Sequence, residues 1–199
     1  MAVRIIYETH ATSTDNEDGI ASGWLPGQLS EHGRREAGEL GERRRHDGLA
    51  AVFCADLGRA VETADIAFGG LGIPIFQDAR LRECNYGDLN GAPVVQLAPF
   101  RARHIQHPFP QGQSYQDVVE NTRALLHELD RDWDGQCVLL IACSANRWAL
   151  EHLSKGVALE DLVEAPLAWQ AGWEYMLDAG KLEADATHST STTVKPDTA

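Results

Sequence analysis

The sequence predicts a single α/β domain with a central, mostly parallel sheet that is flanked by helices. Short apolar runs typical of buried strands alternate along the chain with stretches of helical periodicity. This alternation favours a parallel sheet, because parallel strands need crossover connections and those are usually helices. At 199 residues the chain is long enough for one such domain with a sizeable core, which we assign to residues 1–182.

Five apolar runs are predicted strands. The first run ends near His10, and the run over residues 137–142 has the strongest strand pattern in the chain. The others cover residues 49–54, 73–76 and 172–177.

The predicted helices lie between these strands. Ser30 is a predicted N-cap for a helix over residues 31–45, and Ser114 caps an amphipathic helix that extends to Trp133. Further helices are predicted to begin within residues 56–64, to lie near residues 94–105 and to cover residues 147–153. Residues 15–29 are a predicted packed loop, and residues 81–91 are predicted to be irregular.

Composition limits the classes of partner. The net charge of −13 disfavours nucleic acid, which needs a basic surface, and an anionic substrate would need locally placed cations. No apolar stretch approaches the length of a membrane span, and no secretory signal is visible. Four cysteines without CxxC spacing suit a reducing cytoplasm. We therefore expect a cytoplasmic protein with no membrane partner, as a monomer or, through apolar residues such as Trp24, a homodimer.

The C-terminal part carries two further expectations. Trp169 is predicted to lie in the core rather than to form a stacking platform. Residues 183–199 are rich in Ser, Thr, Ala and Asp with almost nothing to bury, which predicts a disordered polar tail.

His10 is the strongest candidate for chemistry. It stands where the first strand breaks into a polar, hydroxyl-rich turn, which places it at the carboxyl end of a strand. Ligands of open α/β sheets bind at that edge, and an imidazole there can act as a nucleophile or a base. The alternative is a histidine whose nitrogens are satisfied by the turn hydroxyls.

Other polar segments follow predicted strands and could converge on the same edge. Asn16 lies in the turn after His10, residues 56–59 follow the second strand, and Cys143 and Ser144 follow the strand over 137–142. The segment over residues 82–86 adds a carboxylic acid and a phenol. Together these groups provide the nucleophile, acid, cation and donors that phosphoryl or acyl transfer needs.

The order of these motifs resembles the histidine phosphatase superfamily, also called phosphoglycerate-mutase-like, from about residue 3 to residue 178. That family opens with Arg-His-Gly and has an Asn six positions after the His, where this chain has Asn16. Residues 29–34 resemble its Leu-Thr-Glu-x-Gly helix start, and residues 55–64 resemble Ser-Asp-Leu-x-Arg-Ala-x-x-Thr-Ala. Residues 81–87 resemble Leu-Arg-Glu-x-x-Tyr-Gly.

The resemblance implies a role for each matched residue. It implies that His10 forms a phosphohistidine, that Asn16 and Arg59 hold the phosphoryl oxygens and that Glu83 is the proton donor. It also places Thr9 and a further group of residues among the substrate contacts: Ser22, Gly23, Tyr86 and Ser144. The expected activity is a phosphomonoesterase acting on a small phosphorylated metabolite, with no metal or organic cofactor.

Two departures from the family pattern change the predicted site. Thr9 stands where the family has its opening arginine, and Cys143 stands where the family has its second histidine. Loss of one preorganised donor at such a site typically costs about 100- to 1,000-fold in rate. Arg82, Arg101 or Arg147 could compensate, but the sequence does not place them. The acidic Glu8 is expected to point away from the pocket because side chains alternate along a strand.

These departures leave alternatives open. Cys143 is either a reactive thiolate beside His10 or a small apolar filler where a histidine has been lost. The protein is accordingly a phosphatase, a diverged enzyme on the same scaffold or a non-catalytic binding module. The diverged enzyme would run acid-base, cyclase, isomerase or hydrolase chemistry with His10, Glu83 and Cys143. A metal site at His104 and His107 is improbable, because no third ligand is near in sequence.

Overall fold

The structure is a computed structural model that describes residues 2–165 and 170–177. Trp169 and the predicted polar tail over residues 183–199 lie outside the described residues.

The main sheet has five strands. Its order is β4-β3-β6-β1-β7, with β1 at Val3–Thr9, β3 at Ala51–Cys54, β4 at Ile75–Gln77, β6 at Cys137–Ala142 and β7 at Trp173–Leu177. Every pair is parallel except β1 with β7, which is antiparallel. The predicted α/β domain with a mostly parallel sheet is therefore confirmed.

A second, two-stranded sheet was not predicted. The strands β2 (Ile20–Ala21) and β5 (Ala92–Pro93) pair antiparallel and join the long loop after His10 to the segment that follows Asn90. Each strand has only two residues, which is too short to show the alternation of apolar and polar side chains that marks a strand in the sequence.

Seven α-helices surround the sheet in the described residues. They are α1 (Thr14–Glu17), α2 (Glu31–Arg44), α3 (Gly58–Phe68), α4 (Val94–Leu97), α5 (Tyr115–Asp132), α6 (Ser144–Lys155) and α7 (Leu159–Glu164). Short 3₁₀ helices cover Ala79–Leu81, Gly87–Leu89 and Ala98–His104. Within this described part, no helix has the length and apolar character needed to cross a membrane.

The predicted helices over residues 31–45, from within residues 56–64 and from Ser114 to Trp133 are confirmed as α2, α3 and α5, whereas the other helix predictions need correction. The Ser30 hydroxyl accepts a hydrogen bond from the N–H of Gly33, and Ser114 forms a reciprocal capping box with Asp117. The predicted helix near residues 94–105 is instead α4 followed by a 3₁₀ helix, because Pro99 has no N–H with which to continue the α-helical ladder. Helix α6 begins at Ser144, before the predicted start at residue 147, and α7 was missed.

The order of the strands brings the predicted site segments together. Strands β1 and β6 are parallel neighbours, so His10 and Cys143 follow adjacent strand ends, and the His10 N–H donates to the Ala142 carbonyl at 2.9 Å. Strand β3 lies on the other side of β6 and leads into α3 at the same edge. This edge is where the carboxyl ends of parallel strands open onto a binding crevice.

Candidate active site

A cavity of about 500 Å³ opens at this edge of the sheet. All of the predicted site residues except Gly23 line it: Thr9, His10, Asn16, Ser22, Arg59, Glu83, Tyr86, Cys143 and Ser144. The segments that follow β1, β3 and β6 therefore meet Glu83 and Tyr86 in one cleft, large enough for a small metabolite.

The hydrogen bonds of His10 fix its tautomer. Nδ1 lies 2.8 Å from the Ala11 carbonyl oxygen, which can only accept, so Nδ1 carries the proton. Nε2 accepts a hydrogen bond from Nε of Arg59 at 3.1 Å. Burial, followed by the charge of Arg59, lowers the pKa of His10 to about 4. His10 is therefore a neutral imidazole whose Nε2 lone pair faces the Arg59 guanidinium. The hydrogen-bond partners of its ring are Ala11 and Arg59, not the hydroxyls of the turn.

Arg59 is held rigidly at the start of α3. Its side chain is buried, Nη1 donates to the Leu25 carbonyl and Nη2 donates to the Gly23 carbonyl, each at 2.9 Å. Nη2 also lies 3.8 Å from Sγ of Cys143. The loop that was predicted to be packed thus supplies the carbonyls that aim this guanidinium at His10.

Gly23 is not among the residues that line the cavity, and its carbonyl accepts a hydrogen bond from Nη2 of Arg59. Its φ of +53° lies in the left-handed region, and a Cβ built there would be 1.8 Å from Oδ1 of Asn90. Only glycine fits this position, because any side chain would meet both the backbone strain and Asn90.

Glu83 is a buried carboxyl group on the same cavity. Burial raises its pKa, while the N–H groups of Cys84 and Ala145 and the charges of Arg59 and Arg101 act in the opposite direction. The Cys84 N–H donates to Oε1 at 2.8 Å, and the Glu83 carbonyl accepts from Nε1 of Trp24 at 2.7 Å. A carboxyl group with a raised pKa is suited to donate a proton.

Cys143 is a neutral thiol in this site. It is 2% exposed and stands at the N-cap of α6, where its carbonyl accepts a hydrogen bond from the Tyr7 hydroxyl. Burial raises the pKa of the thiol to about 12, although Arg59 acts to lower it. The thiol is therefore protonated near neutral pH, which favours the interpretation of Cys143 as a small filler over a reactive thiolate.

Asn16 and Ser22 enter the cavity with part of their bonding capacity in use. Asn16 forms a capping box at α1, in which its Oδ1 accepts from the N–H and hydroxyl of Ser13, so only its Nδ2 donors remain for a ligand. The Ser22 hydroxyl donates to Asp15 at 2.6 Å. The Ser22 hydroxyl can therefore donate to a phosphate oxygen only if its hydrogen bond to Asp15 breaks.

The structure distinguishes the three arginines that could compensate for the two departures. Arg82 forms a bidentate ion pair with Asp56, at 2.6 and 2.5 Å, and its guanidinium stacks on Trp24. Arg147 packs over the ring of Trp173, at 5.1 Å from the centroid. Arg101 lines the cavity, whereas neither of the other two does.

The cavity carries both signs of charge. Its charged wall residues are three arginines and four glutamates: Arg43, Arg59 and Arg101, with Glu8, Glu36, Glu39 and Glu83. Contrary to expectation, Glu8 lies on this wall, and its buried carboxylate pairs with Arg44 at 2.8 Å and Arg43 at 3.3 Å. These ion pairs balance the negative charge of Glu8, and Arg43 spends its positive charge on Glu8 rather than on a ligand in the cavity.

Two residues on the cavity wall, Trp148 and Arg101, were not among the predicted site residues. Trp148 lies four residues after Ser144 on α6 and therefore on the same helix face. Once the start of α6 at Ser144 is known, this spacing of four residues predicts that Trp148 faces the same side as Ser144. The location of Arg101 depends on how the 3₁₀ helix Ala98–His104 packs against the rest of the domain. The local sequence does not predict that packing.

His104 contacts Phe109 and the backbone of His107. The His104 ring stacks on Phe109 at 3.8 Å, and its Nδ1 bonds with the His107 carbonyl at 2.9 Å. Across residues 2–165 and 170–177, no group of three or more His, Cys, Asp or Glu side chains is arranged to hold a metal ion.

Comparison with known proteins places this geometry in a family. The family model of the histidine phosphatase superfamily (branch 1) matches residues 9–172. The 2,3-bisphosphoglycerate-dependent phosphoglycerate mutase of Nitrobacter hamburgensis is 29% identical over 92% of this chain and 93% of its own. A probable phosphoglycerate mutase, GpmB, of Klebsiella pneumoniae is 31% identical over 62% of this chain. The match spans only 61% of that relative's length.

Solved structures agree with the sequence matches. YhfR of Bacillus stearothermophilus superposes with a TM-score of 0.73 at 31% identity, over 85% of this chain and 88% of that one. A mycobacterial glucosyl-3-phosphoglycerate phosphatase superposes with a TM-score of 0.71 at 25% identity, over 82% of this chain and 84% of that one.

Proposed function

Because the chain belongs to the histidine phosphatase superfamily, we propose that it is a phosphomonoesterase that hydrolyses a small phosphorylated metabolite through a phosphohistidine at His10. The relatives include mutases as well as a phosphatase, so family membership alone does not choose between hydrolysis and transfer to a second hydroxyl. The groups in the cavity supply the phosphohistidine step that both reactions share. Hydrolysis, with water as the acceptor, is the part of the proposal that release of inorganic phosphate tests.

The observation that carries the proposal is the arrangement of three groups around one cavity, of which Arg59 and Glu83 are buried and His10 is half-buried. His10 presents an unprotonated Nε2, Arg59 lies 3.1 Å from that atom, and Glu83 has a raised pKa. A nucleophile, a cation and a proton donor are the parts that hydrolysis through a covalent phosphoryl intermediate requires.

The first step forms the phosphohistidine. Nε2 of His10 attacks phosphorus while the bond from phosphorus to the ester oxygen breaks, and the Glu83 carboxyl proton passes to that oxygen. Arg59 then donates from Nε to a phosphoryl oxygen instead of to His10, and the Nδ2 donors of Asn16 bind another oxygen. The Nδ1–H bond to Ala11 keeps the ring in the reacting tautomer.

The second step returns the enzyme to its starting state. The Glu83 carboxylate takes a proton from a water molecule, whose oxygen attacks phosphorus as the Nε2–P bond breaks. Inorganic phosphate leaves, and Glu83 is protonated again. One carboxyl group serves as acid and then as base, which its buried position makes possible by keeping its pKa raised.

The decisive experiment combines turnover with capture of the intermediate. We expect p-nitrophenyl phosphate to be hydrolysed with stoichiometric release of phosphate, and a quenched reaction to yield an acid-labile, base-stable phosphoryl group on His10. His10→Ala should abolish both signals, whereas His127→Asn, an exposed residue on α5, should preserve them. No turnover at any pH by a folded protein would refute the proposal.

A second candidate function has one observation in its favour. Thr9 and the Cys143 thiol are uncharged, so Arg59 is the only cation in contact with His10 among the described residues. A phosphoryl group would thus meet less positive charge than the family pattern supplies. This favours acid-base chemistry by His10 and Glu83 on a less charged substrate. Restoring the missing cations with Cys143→His and Thr9→Arg separates the two functions.

A further inference from the structure

We propose that Thr63 is a positioning residue for the nucleophile. Its hydroxyl ties the backbone directly after His10 to the helix that carries Arg59, and so fixes how the imidazole and the guanidinium face each other. The inference rests on the proposed phosphomonoesterase function, because it assigns a residue to the first step of that reaction. Thr63 is not among the residues that line the cavity, so it acts through its neighbours and not on the substrate.

The Thr63 hydroxyl is buried and both accepts and donates a hydrogen bond. Thr63 is fully buried in α3, one helical turn after Arg59. Its Oγ1 accepts from the Ala11 N–H at 3.1 Å and donates to the Arg59 carbonyl at 2.7 Å. Since an N–H can only donate and a carbonyl can only accept, the direction of both bonds is fixed. The bond to Arg59 therefore turns a lone pair of the hydroxyl toward Ala11.

These two bonds complete a closed ring of hydrogen bonds. Thr63 accepts from the Ala11 N–H, and the Ala11 carbonyl accepts from Nδ1 of His10 at 2.8 Å. Nε2 of His10 accepts from Nε of Arg59 at 3.1 Å, and the Arg59 carbonyl accepts from Thr63. The imidazole and its cation are thus related in two ways, by their direct contact and by the path through Thr63.

The path through Thr63 joins two segments that strand pairing does not join. His10 follows β1 and Arg59 follows β3, and these strands do not pair, because β6 lies between them. The N–H of His10 still donates to the end of β6, whereas the next N–H along the chain, that of Ala11, donates to Thr63. Thr63 therefore fixes the backbone where it leaves the sheet.

The bonds of Thr63 are needed most when substrate is bound. In the proposed first step, Arg59 turns its Nε donor from His10 to a phosphoryl oxygen, so the direct contact between them opens. The Thr63 hydroxyl binds the carbonyl of Arg59 and not its guanidinium, so its bonds stay intact. They then hold Nε2 of His10 in line with the phosphoryl group on Arg59. A displacement of about 1 Å between reacting groups can cost about 100-fold in rate.

Removal of the hydroxyl with retention of side-chain shape tests the assignment. Thr63→Val can neither accept from Ala11 nor donate to Arg59. With p-nitrophenyl phosphate, we expect the single-turnover rate of phosphohistidine formation to fall about 10- to 100-fold, while the affinity for inorganic phosphate changes by less than about threefold. Thr122→Val is the matched control and should leave the rate unchanged. Thr122 is also buried on a helix, but its hydroxyl has no hydrogen-bond partner among the described residues.

A second pair of variants isolates the hydroxyl even if the valine variant does not fold. Thr63→Ser and Thr63→Ala remove the same methyl group and differ by the hydroxyl alone. The serine variant should recover the rate to within about threefold of wild type, whereas the alanine variant should keep the loss. Thermal unfolding will show which variants are folded.

NMR of the His10 ring distinguishes positioning from a general effect on the core. In wild type, the nitrogen chemical shifts should report one neutral tautomer with its proton on Nδ1, as the bond to Ala11 requires. Thr63→Val should give a mixture of the two neutral tautomers or faster exchange of the Nδ1 proton with solvent. Thr122→Val should give the wild-type spectrum.

The outcomes separate this inference from the function on which it rests. If wild type turns over and Thr63→Val retains both its rate and the wild-type His10 signals, the positioning role is refuted while the phosphomonoesterase stands. A loss of rate that Thr122→Val shares would also refute it, because the loss would then follow from any such change in the core. If wild type does not turn over, the proposed function falls, and the spectra alone decide whether Thr63 orients His10.

Discussion

Nε of Arg59 lies 3.1 Å from Nε2 of His10, and the N–H of the guanidinium points its hydrogen at the lone pair of the imidazole. A proton on Nε2 would bring two donors and two positive charges together in a buried site. The contact therefore favours the neutral imidazole, and in the proposed mechanism it must open before Nε2 can reach phosphorus. An arriving phosphoryl oxygen can open it by accepting the same Arg59 donor.

The lowered pKa of His10 predicts a loss of stability in mild acid. The folded state holds the pKa at about 4, against a reference value of 6.5, so the unfolded state binds a proton that the folded state excludes. Stability should fall as pH drops from about 6.5 to 4 and level off below. The loss amounts to at most about 3 kcal/mol. Urea unfolding across this range should show the slope in wild type, and His10→Asn should lose it. An unchanged slope in the variant would contradict the pKa.

Removal of Arg59 should raise the His10 pKa only in part. In Arg59→Met the repulsive charge is gone, but burial, the larger cause, remains. We expect an NMR titration of His10 to give a pKa between about 4 and 6.5 and kcat/KM to fall at least about 100-fold, because the phosphoryl group loses its cation. Arg35→Met, on the exposed face of α2, is the control. A His10 pKa that stayed at the wild-type value would show that Arg59 does not act on the nucleophile.

Substitution of Cys143 tests whether its thiol takes part in the chemistry. Because burial raises the pKa of the thiol to about 12, Cys143→Ser should change kcat/KM for p-nitrophenyl phosphate by less than about tenfold. A loss like that of His10→Ala would identify the thiol as a nucleophile after all.

Restoring the family's cations should increase phosphatase activity. Cys143→His and Thr9→Arg place donors beside His10, and each one should raise kcat/KM for p-nitrophenyl phosphate by about 10-fold or more. Steady-state kinetics of the single and double variants will measure this. If both variants fold and neither gains activity, the less charged substrate of the second candidate function is favoured.

Gly23 should be far less tolerant of alanine than Gly19. Both have positive φ, +53° and +68°, but a Cβ at Gly23 meets Asn90, whereas at Gly19 nothing lies within 4 Å. We expect Gly23→Ala to cost about 1–3 kcal/mol more stability than Gly19→Ala. It should also lower kcat, because the Gly23 carbonyl holds Arg59. Thermal unfolding and kinetics of both variants test this, and equal effects would refute the steric argument.

The sequence was informative wherever a feature is local. Buried strands such as β6 have a continuous apolar run, and the caps at Ser30 and Ser114 are set by a side chain and the backbone three residues later. Features set by docking could not be read in this way. The β2–β5 pairing, the position of Arg101 and the ion pairs of Glu8 each depend on segments far apart in the chain.

The convergence of the predicted site residues on one cavity could be anticipated better than the details of their contacts. The residues around His10 follow strand ends, and parallel strands gather their ends at one edge, so their convergence could be anticipated. The contact of Gly23 with Arg59 could not be anticipated. Gly23 makes it through its backbone carbonyl, a group that every residue has. The protonation state of the Cys143 thiol depends on its burial, which the sequence reports only in outline.

The backbone bond from His10 to Ala142 joins the beginning of the chain to its last third. A ribosome that has made the first hundred residues has already synthesised the proposed nucleophile, yet it has none of the strand against which that residue is held. If His10 is the nucleophile, turnover reports completion of the central sheet, because a nascent or truncated chain that lacks β6 lacks the strand end that binds the His10 backbone.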